Sequence, residues 1–215
     1  MTRVRRGAAD DSATRTALLD ATEALMLEDG YAAVTTRRIA ARAGVNNGLV
    51  YYYFGSVDSL FIELFRRGAE RSLARLRVAL RSPQPLWALW EFAQDSSNNA
   101  RTMEFTALAN HRKAIRVEIA SYARTFRALQ LELLAGVLEG YGVDLGRWPA
   151  SSLLLAMAAI SRFLHLEEAF DVEQGHRELI DVVEREIRAI EGERRAAGEQ
   201  AMGAITVAGT GHPAR

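Results

Sequence analysis

The chain has 215 residues, of which 49% are hydrophobic, and its 27 basic residues balance its 27 acidic ones. The absence of cysteine excludes disulfides, thiolate metal sites and cysteine nucleophiles. The most apolar stretch, around 152–160, is too short to span a bilayer, and the N-terminal MTRVRRGAADDS lacks the apolar core of a secretory signal. We therefore expect a cytoplasmic protein with no membrane partner.

The hydrophobic pattern predicts an all-α fold, because no stretch shows the sustained alternation of a strand. Gly30 is suited to end the first helix and Ser56 to cap a longer one, whereas Pro83 and Pro85 mark a corner. Helices are predicted over about 12–29, 36–43, 47–54, 56–80, 86–98, 101–113, 116–140, 150–169 and 174–192. The two ends, 1–11 and 193–215, lack apolar periodicity, so we expect both to be disordered.

The window 31–60 has the spacing of two short helices joined by a tight turn. Thr35 is a natural cap for the first, and Gly44 supplies the turn before the second. Val50 and Phe54 are then placed to pack back onto the first helix. The positions left to project from the second short helix, as a recognition helix projects into the major groove, are Asn46, Asn47, Gly48, Leu49, Tyr51 and Tyr52.

The charge pattern of this window also favours nucleic acid. No acidic residue occurs between Asp29 and Asp58, whereas Arg37, Arg38 and Arg42 fall there. Positive potential is what a phosphate-contacting surface needs, Asn pairs with adenine edges, and Tyr hydroxyls hold phosphates. The alternative, an ordinary helical hairpin, explains neither the missing acids nor the three consecutive tyrosines.

The run TTRRIAARAGVNNGLVYYYFGSVDSL resembles the helix-turn-helix signature of the TetR family, over about Thr14 to Arg71. The resemblance implies a three-helix DNA-binding head, 12–55, and a larger helical domain, 56–192, for ligand binding and dimerisation through the last two helices. Ligand binding is then expected to release the operator. The residue pattern and the resemblance together give these predicted DNA-binding residues: Thr35, Thr36, Arg38, Asn46, Asn47, Gly48, Leu49, Tyr51 and Tyr52.

Two departures from the family pattern concern phosphate contacts. The basic residue common near Asn47 is missing, and Val57 stands where a lysine is common. Losing two such contacts weakens binding and flattens its salt dependence. The basic arm, 1–11, which carries Arg3, Arg5 and Arg6, is the candidate compensation, and a solvated tail is the alternative.

After Pro85 the sequence is rich in large apolar side chains. They predict either a cavity for a small hydrophobic effector or ordinary core packing. The predicted ligand-binding residues are Trp87, Trp90, Met103, Phe126, Leu129, Met157 and Phe163. The four histidines (His111, His165, His176 and His212) lie far apart in sequence, so we expect no metal site and no cofactor.

Apolarity on nearly every side of the segment 152–164 leaves a face that a second copy of the chain would cover. The stripe of Val183 and Ile187 on the last helix is assigned to the same interface. We therefore predict a homodimeric repressor released from a palindromic operator by an apolar effector. The alternative is a helical lipid-binding or scaffolding protein with weak or vestigial DNA binding. No glycine-rich phosphate loop and no nucleophile with a base is present, so we expect no enzyme.

Overall fold

The structure, a computed structural model, describes the backbone of residues 2–195 and the side chains of residues 11–195. All the regular elements in that part of the chain are helical, which confirms the predicted all-α fold. A short 3₁₀ turn, Tyr31–Ala33, follows the first helix. The helices are α1 (Thr2–Asp29), α2 (Thr36–Ala43), α3 (Gly48–Phe54), α4 (Val57–Ala79), α5 (Pro85–Ala93), α6 (Ser96–His111), α7 (Lys113–Gly140), α8 (Ala150–Glu168) and α9 (His176–Glu191).

Several element boundaries differ from the prediction, and three of the differences have a bearing on the ends of the chain and on the α5–α6 break. Helix α1 begins at Thr2, so the backbone is helical where residues 1–11 were expected to be disordered; arginine and alanine, frequent there, favour helix. The break between α5 and α6 falls before Ser96, because the Asp95 carboxylate accepts a hydrogen bond from the Asn98 N–H (3.1 Å). Residues 193 and 195, which fall within the expected tail, are hydrogen-bonded to Gln84, and from residue 196 the expected tail lies outside the described residues.

The chain divides into two compact units that differ from the predicted domains. The first comprises Met1–Ser72 with Ala100–Thr125, and the second comprises Leu73–Asn99 with Phe126–Arg215. The described residues of the two units together are 2–195. The predicted domains, 12–55 and 56–192, stay a prediction, while in the structure most of α6 and the start of α7 group with the head. Phe105, Leu108 and Ile115 are buried in the same apolar cluster as the residues of α1–α4.

The first unit is built on the apolar face of α1. Leu18, Leu25 and Met26 are buried there, as their spacing predicts, with Ile39 of α2 and Val50 of α3. Burying each such side chain contributes about 1.5–3 kcal/mol relative to leaving it in water. The two short helices are therefore held by their apolar sides, which leaves their polar sides in solvent.

A single carboxylate ties three helices of this unit together. Glu23 of α1 accepts hydrogen bonds from Arg67 (2.9 Å) and Arg71 (2.8 and 3.0 Å) of α4 and from Arg101 (2.9 Å) of α6. Burial raises the pKa of Glu23, but the hydrogen bond and charge of Arg71, followed by the charges of the other two arginines, outweigh it and hold this pKa below its usual range. The ionised form of Glu23 therefore stabilises the fold.

The second unit has its own apolar core around two tryptophans of α5. Trp87 and Trp90 are each 2% exposed. The Glu191 carboxylate at the end of α9 accepts hydrogen bonds from the Leu86 N–H (2.7 Å) and the Trp87 N–H (3.0 Å), and so caps α5. Buried Gln84 accepts a hydrogen bond from the Arg195 N–H (2.8 Å), so the chain just beyond α9 is held in place.

Helix α8 matches the predicted range of about 150–169 to within one residue. It has 19 residues and a mean hydropathy of 1.2, so among the described residues it is the one helix long and apolar enough to cross a membrane. The expectation that this segment is too short for a bilayer is therefore wrong on length. A single such helix is weak evidence for a span, and Arg162 near its middle would cost about 2.5–3.5 kcal/mol at the bilayer centre.

Candidate nucleic-acid interface

The turn between α2 and α3 forms as the sequence predicts. Thr35 is extended (φ −124°, ψ 152°), and its hydroxyl accepts a hydrogen bond from the Arg38 N–H (3.3 Å) at the start of α2. Gly44 ends α2 in the left-handed region (φ 68°), where a side chain would be strained. The Val45 N–H then donates to the Ala40 carbonyl (3.0 Å). Cap and turn together fix the angle at which α3 leaves.

Helix α3 has a buried side and a polar side. Val50 and Phe54 are buried, whereas Tyr51 and Tyr52 are 53% and 72% exposed. Immediately before the helix, the Asn46 side-chain oxygen accepts a hydrogen bond from the Gly48 N–H (2.8 Å). The amide of Asn47 makes no capping hydrogen bond and is left exposed to solvent.

Most of the predicted DNA-binding residues share this exposed surface. Leu49 is an exception, because it is half-buried and packs against the core of the first unit, so the expectation that it projects away from the core is wrong. Thr36 is also half-buried. The residues that the structure leaves exposed on α2, the turn and α3 are Thr35, Arg38, Asn46, Asn47, Gly48, Tyr51 and Tyr52.

The positive charge of the acid-free window is largely neutralised by α1. Arg38 pairs with Asp29 (2.5 Å), and Arg42 makes two hydrogen bonds with Glu28 (2.5 and 2.6 Å). The hydrogen bond from Arg42 is the main reason why the pKa of Glu28 lies below its usual range. Arg37 is exposed and makes no ion pair with any residue that the structure describes. Arg37, which is not among the predicted DNA-binding residues, is thus a better placed cation than Arg38.

The third tyrosine of the run has a structural role. The Tyr53 hydroxyl donates a hydrogen bond to the Asp11 carboxylate (2.9 Å) and so joins α3 to α1. This hydrogen bond is the main cause of a raised Tyr53 pKa. Val57, where the family pattern favours lysine, is half-buried and packs on the core of the first unit. The side chains of Arg3, Arg5 and Arg6 lie outside the described residues, so their compensating role stays a prediction.

The predicted ligand-binding residues are divided between the two units. Met103 on α6 lies in the first unit, while the remaining six belong to the second, and ligand binding by these residues stays a prediction. Trp87 and Trp90 are buried in the core, and Phe126 and Met157 pack partly buried against it. Leu129 is half-buried. Phe163 is 53% exposed, since it lies on the outer side of α8.

Two of the histidines make defined side-chain contacts. His176 is buried and hydrogen-bonded to the Glu167 carboxylate (2.9 Å), and His111 stacks on Tyr31. Within the residues that the structure describes, no group of histidine and acidic side chains is arranged to hold a metal ion.

A capped helix, a left-handed glycine turn and a second short helix that exposes Asn and Tyr side chains define the class: a helix-turn-helix DNA-binding protein. Residues 18–64 match the family model described as "Bacterial regulatory proteins, tetR family". The HTH-type transcriptional repressor BepR of Brucella suis biovar 1 (strain 1330) is 27% identical over 207 residues, covering 86% of this chain and 97% of that protein. The helix-turn-helix domain of this chain is therefore that of the TetR family of transcriptional regulators.

Solved structures share the fold. A transcriptional regulator from Saccharomonospora viridis in complex with choline aligns with a TM-score of 0.65 at 17% identity, covering 83% of this chain and 95% of that one. FadR from Bacillus subtilis in complex with stearoyl-CoA aligns with a TM-score of 0.59 at 16% identity, covering 83% and 99%. At these identities the likeness concerns the fold alone.

Proposed function

We propose that this chain is a ligand-responsive repressor that binds a palindromic operator as a homodimer. The observation that carries the proposal is the exposed polar surface of the helix-turn-helix, where Asn47, Tyr51 and Tyr52 are free to meet DNA. In a helix-turn-helix dimer each recognition helix reads one half-site, so operator symmetry mirrors protein symmetry. The proposed function is therefore DNA binding rather than catalysis. We also propose that the protein acts in the cytoplasm.

An exposed apolar stripe on α8 supports the homodimer. Leu155, Ala159, Phe163 and Leu166 recur at the spacing of one helix face, and three of them expose 52%, 53% and 39% of their surface. Val182 of α9 is a further exposed apolar residue (42%). A second copy covering such a face removes apolar surface from water, which is the usual driving force of a symmetric interface.

The exposed stripe on α8 differs from the last-helix residues that the sequence analysis assigns to the interface. Ile187 is 6% exposed and belongs to the core of the second unit, and Val183 packs partly buried against that core. A charge at either position is therefore expected to destabilise the protomer. The dimer proposal is better tested on the exposed stripe.

An effector for the second unit is supported by its composition and by the structural relatives. Its core is lined by tryptophan, leucine and methionine. The two similar regulators were solved with stearoyl-CoA and with choline, so proteins of this fold hold small molecules of different charge. We propose a predominantly apolar effector, whose binding favours the conformation that does not fit the operator.

Operator selection from a random DNA pool tests the DNA-binding surface. Asn47→Ala is expected to change the preferred base at one position per half-site and to cost about 1–3 kcal/mol there. Tyr51→Phe, which removes one phosphate-contacting hydroxyl, is expected to weaken binding to all sequences alike.

Two matched variants outside the surface, Asn110→Ala on α6 and Tyr141→Phe after α7, are expected to bind as the parent does. An Asn47→Ala protein with unchanged base preference would show that α3 is not the recognition helix. The alternative of a lipid-binding or scaffolding protein, which the neutralised Arg38 and Arg42 favour, predicts no sequence selection at any salt concentration.

A further inference from the structure

The recognition helix α3 is too short to keep an orientation of its own. It has seven residues, fewer than two full turns, and an isolated helix of this length is not stable in water. Two of its side chains, Val50 and Phe54, are buried in the core of the first unit. The direction in which its polar side faces solvent therefore depends on contacts with the neighbouring helices.

Two side chains of α1 hold the last turn of α3. Asp11 and Arg15 lie four residues apart, on the same face of α1. The Asp11 carboxylate accepts a hydrogen bond from the Tyr53 hydroxyl (2.9 Å). The Arg15 guanidinium lies over the Phe54 ring, 5.5 Å from its centroid, and pairs with Glu63 of α4 (2.5 Å). The end of α3 is thus attached to α1 at two adjacent points.

The hydrogen bond between Asp11 and Tyr53 also fixes a neighbouring side chain that faces solvent. The ring of Tyr52, which is 72% exposed, packs edge-on against the Tyr53 ring, with 4.9 Å between centroids and 83° between planes. The Tyr53 side chain is held at one end by the backbone of α3 and at the other by Asp11, so its torsions are restricted. Asp11 therefore acts, through Tyr53, on a predicted DNA-binding residue.

A carboxylate at this place is otherwise unfavourable for a protein that binds DNA. The segment 30–57 contains no acidic residue, but the fold brings exposed Asp11 back beside α3, where a negative charge repels phosphates. The hydrogen bond to Asp11 is the largest cause of the raised pKa of Tyr53, so the Tyr53 hydroxyl keeps its proton and remains a donor. The hydrogen bond is thus the favourable contribution of Asp11 at this surface.

We propose that Asp11 is a positioning residue for DNA binding: through the Tyr53 hydroxyl it fixes the orientation of α3 and of the Tyr52 side chain at the operator. The inference rests on the proposed function and adds two residues that are absent from the predicted DNA-binding set. A head whose α3 can reorient spends only part of its time in the conformation that fits DNA, and its apparent affinity falls in the same proportion. Asp11 therefore raises affinity by pre-organisation rather than by a contact with DNA.

The operator affinity of four full-chain variants tests this role. Tyr53→Phe keeps the ring and loses the hydroxyl, and Asp11→Ala loses the acceptor. Each is expected to weaken operator binding about tenfold, since both heads of a dimer lose a net hydrogen bond. The double variant is expected to bind no more weakly than either single variant, because both changes break the same bond. Asp11→Asn keeps an acceptor oxygen and removes the charge, so it is expected to bind at least as tightly as the parent.

A control variant and a measurement without DNA separate positioning from stability. Arg66→Gln breaks another exposed contact of the first unit, the ion pair between α4 and Glu118 of α7 (2.6 Å), and is expected to leave operator affinity unchanged. Hydrogen–deuterium exchange of the α3 amides is measured in the free protein. Asp11→Ala and Tyr53→Phe are expected to speed this exchange, whereas Asp11→Asn and Arg66→Gln are expected to exchange as the parent does.

Four results would overturn the proposal. Equal or tighter operator binding by Asp11→Ala would show that the carboxylate only repels phosphates. A salt dependence flattened by about 0.9 per head in Tyr53→Phe would show that the hydroxyl meets a phosphate itself. Additive losses in the double variant would show that the two side chains act independently. Unchanged α3 exchange in Asp11→Ala would show that Asp11 does not fix α3. This last result needs no DNA, so a parent protein that selects no operator contradicts the proposed function and leaves the exchange result decisive.

Discussion

Two arginines on one short helix are expected to contribute unequally to DNA binding. Arg37 and Arg42 are both exposed on α2, but Arg42 is held by two hydrogen bonds to Glu28, while Arg37 makes no ion pair among the described residues. A phosphate competes with a carboxylate for Arg42 and with water alone for Arg37. Arg37→Ala is therefore expected to weaken operator binding much more than Arg42→Ala.

The size of the effect follows from counterion release. Each phosphate contact steepens the dependence of log K on log salt concentration by about 0.9. Replacing Arg37 in both heads of a dimer should therefore flatten the slope by about 1.8. Arg42→Ala should leave the slope nearly unchanged. Glu28→Gln, which releases Arg42 from its partner, should steepen the slope and raise the affinity at low salt.

Fluorescence anisotropy with a labelled operator over a series of salt concentrations measures these slopes. Circular dichroism checks that each variant keeps its helices, which is expected because all three side chains are largely in solvent. An equal loss of slope in Arg37→Ala and Arg42→Ala would refute the reasoning, since pairing within the head would then not decide which cation meets DNA. An unchanged slope for Arg37→Ala would refute the placement of Arg37 at the phosphates.

Three further predictions concern stability and assembly. Glu23→Gln leaves three arginines without their carboxylate and should cost about 3 kcal/mol in urea unfolding at neutral pH. Because the pKa of Glu23 is lowered in the folded protein, the difference in unfolding free energy between the parent and Glu23→Gln should shrink as the pH falls below the usual range of a glutamate. The control variant Glu132→Gln, at an exposed position, should be as stable as the parent. In sedimentation experiments, Phe163→Glu should be a folded monomer, because this side chain is exposed, whereas Ile187→Glu, at a buried position, should be unfolded. A dimeric Phe163→Glu protein would contradict the proposed interface. Burial, followed by the charge of a nearby glutamate, raises the pKa of Tyr122 to about 12. Because the unfolded chain loses this proton near pH 10, the parent should lose stability between pH 10 and 12, and Tyr122→Phe should not.

The features that sequence predicted best depend on residues close in the chain. Thr35 caps α2, Gly44 ends it and Ser56 caps α4, where its hydroxyl accepts a hydrogen bond from the Ser59 N–H (3.0 Å). Each motif spans a few residues, so its geometry is set by local backbone chemistry. The buried face of α1, with Leu18 and Met26, was equally readable because a helix repeats every 3.6 residues.

The features that sequence missed depend on distant residues. The acid-free window suggested that Arg38 and Arg42 are available to phosphate, but two acidic residues at the end of α1 form ion pairs with them. Met103 and the tryptophans of α5 were predicted together on composition, and the structure places them in different units.

The free energy needed to release an operator shows which part of the effector can act as the switch. Moving a two-state equilibrium from 1:99 to 99:1 requires about 5.5 kcal/mol of differential affinity, or about 2.8 kcal/mol for each site of a dimer. A charge-assisted hydrogen bond contributes about 1.5–3 kcal/mol, so a polar contact of the effector is large enough if it forms in only one conformation. An apolar chain buried equally in both conformations adds affinity but shifts nothing. We therefore expect decanol, at concentrations that saturate the protein, to leave the labelled operator bound. Release of the operator by decanol would show that the apolar chain itself distinguishes the two conformations.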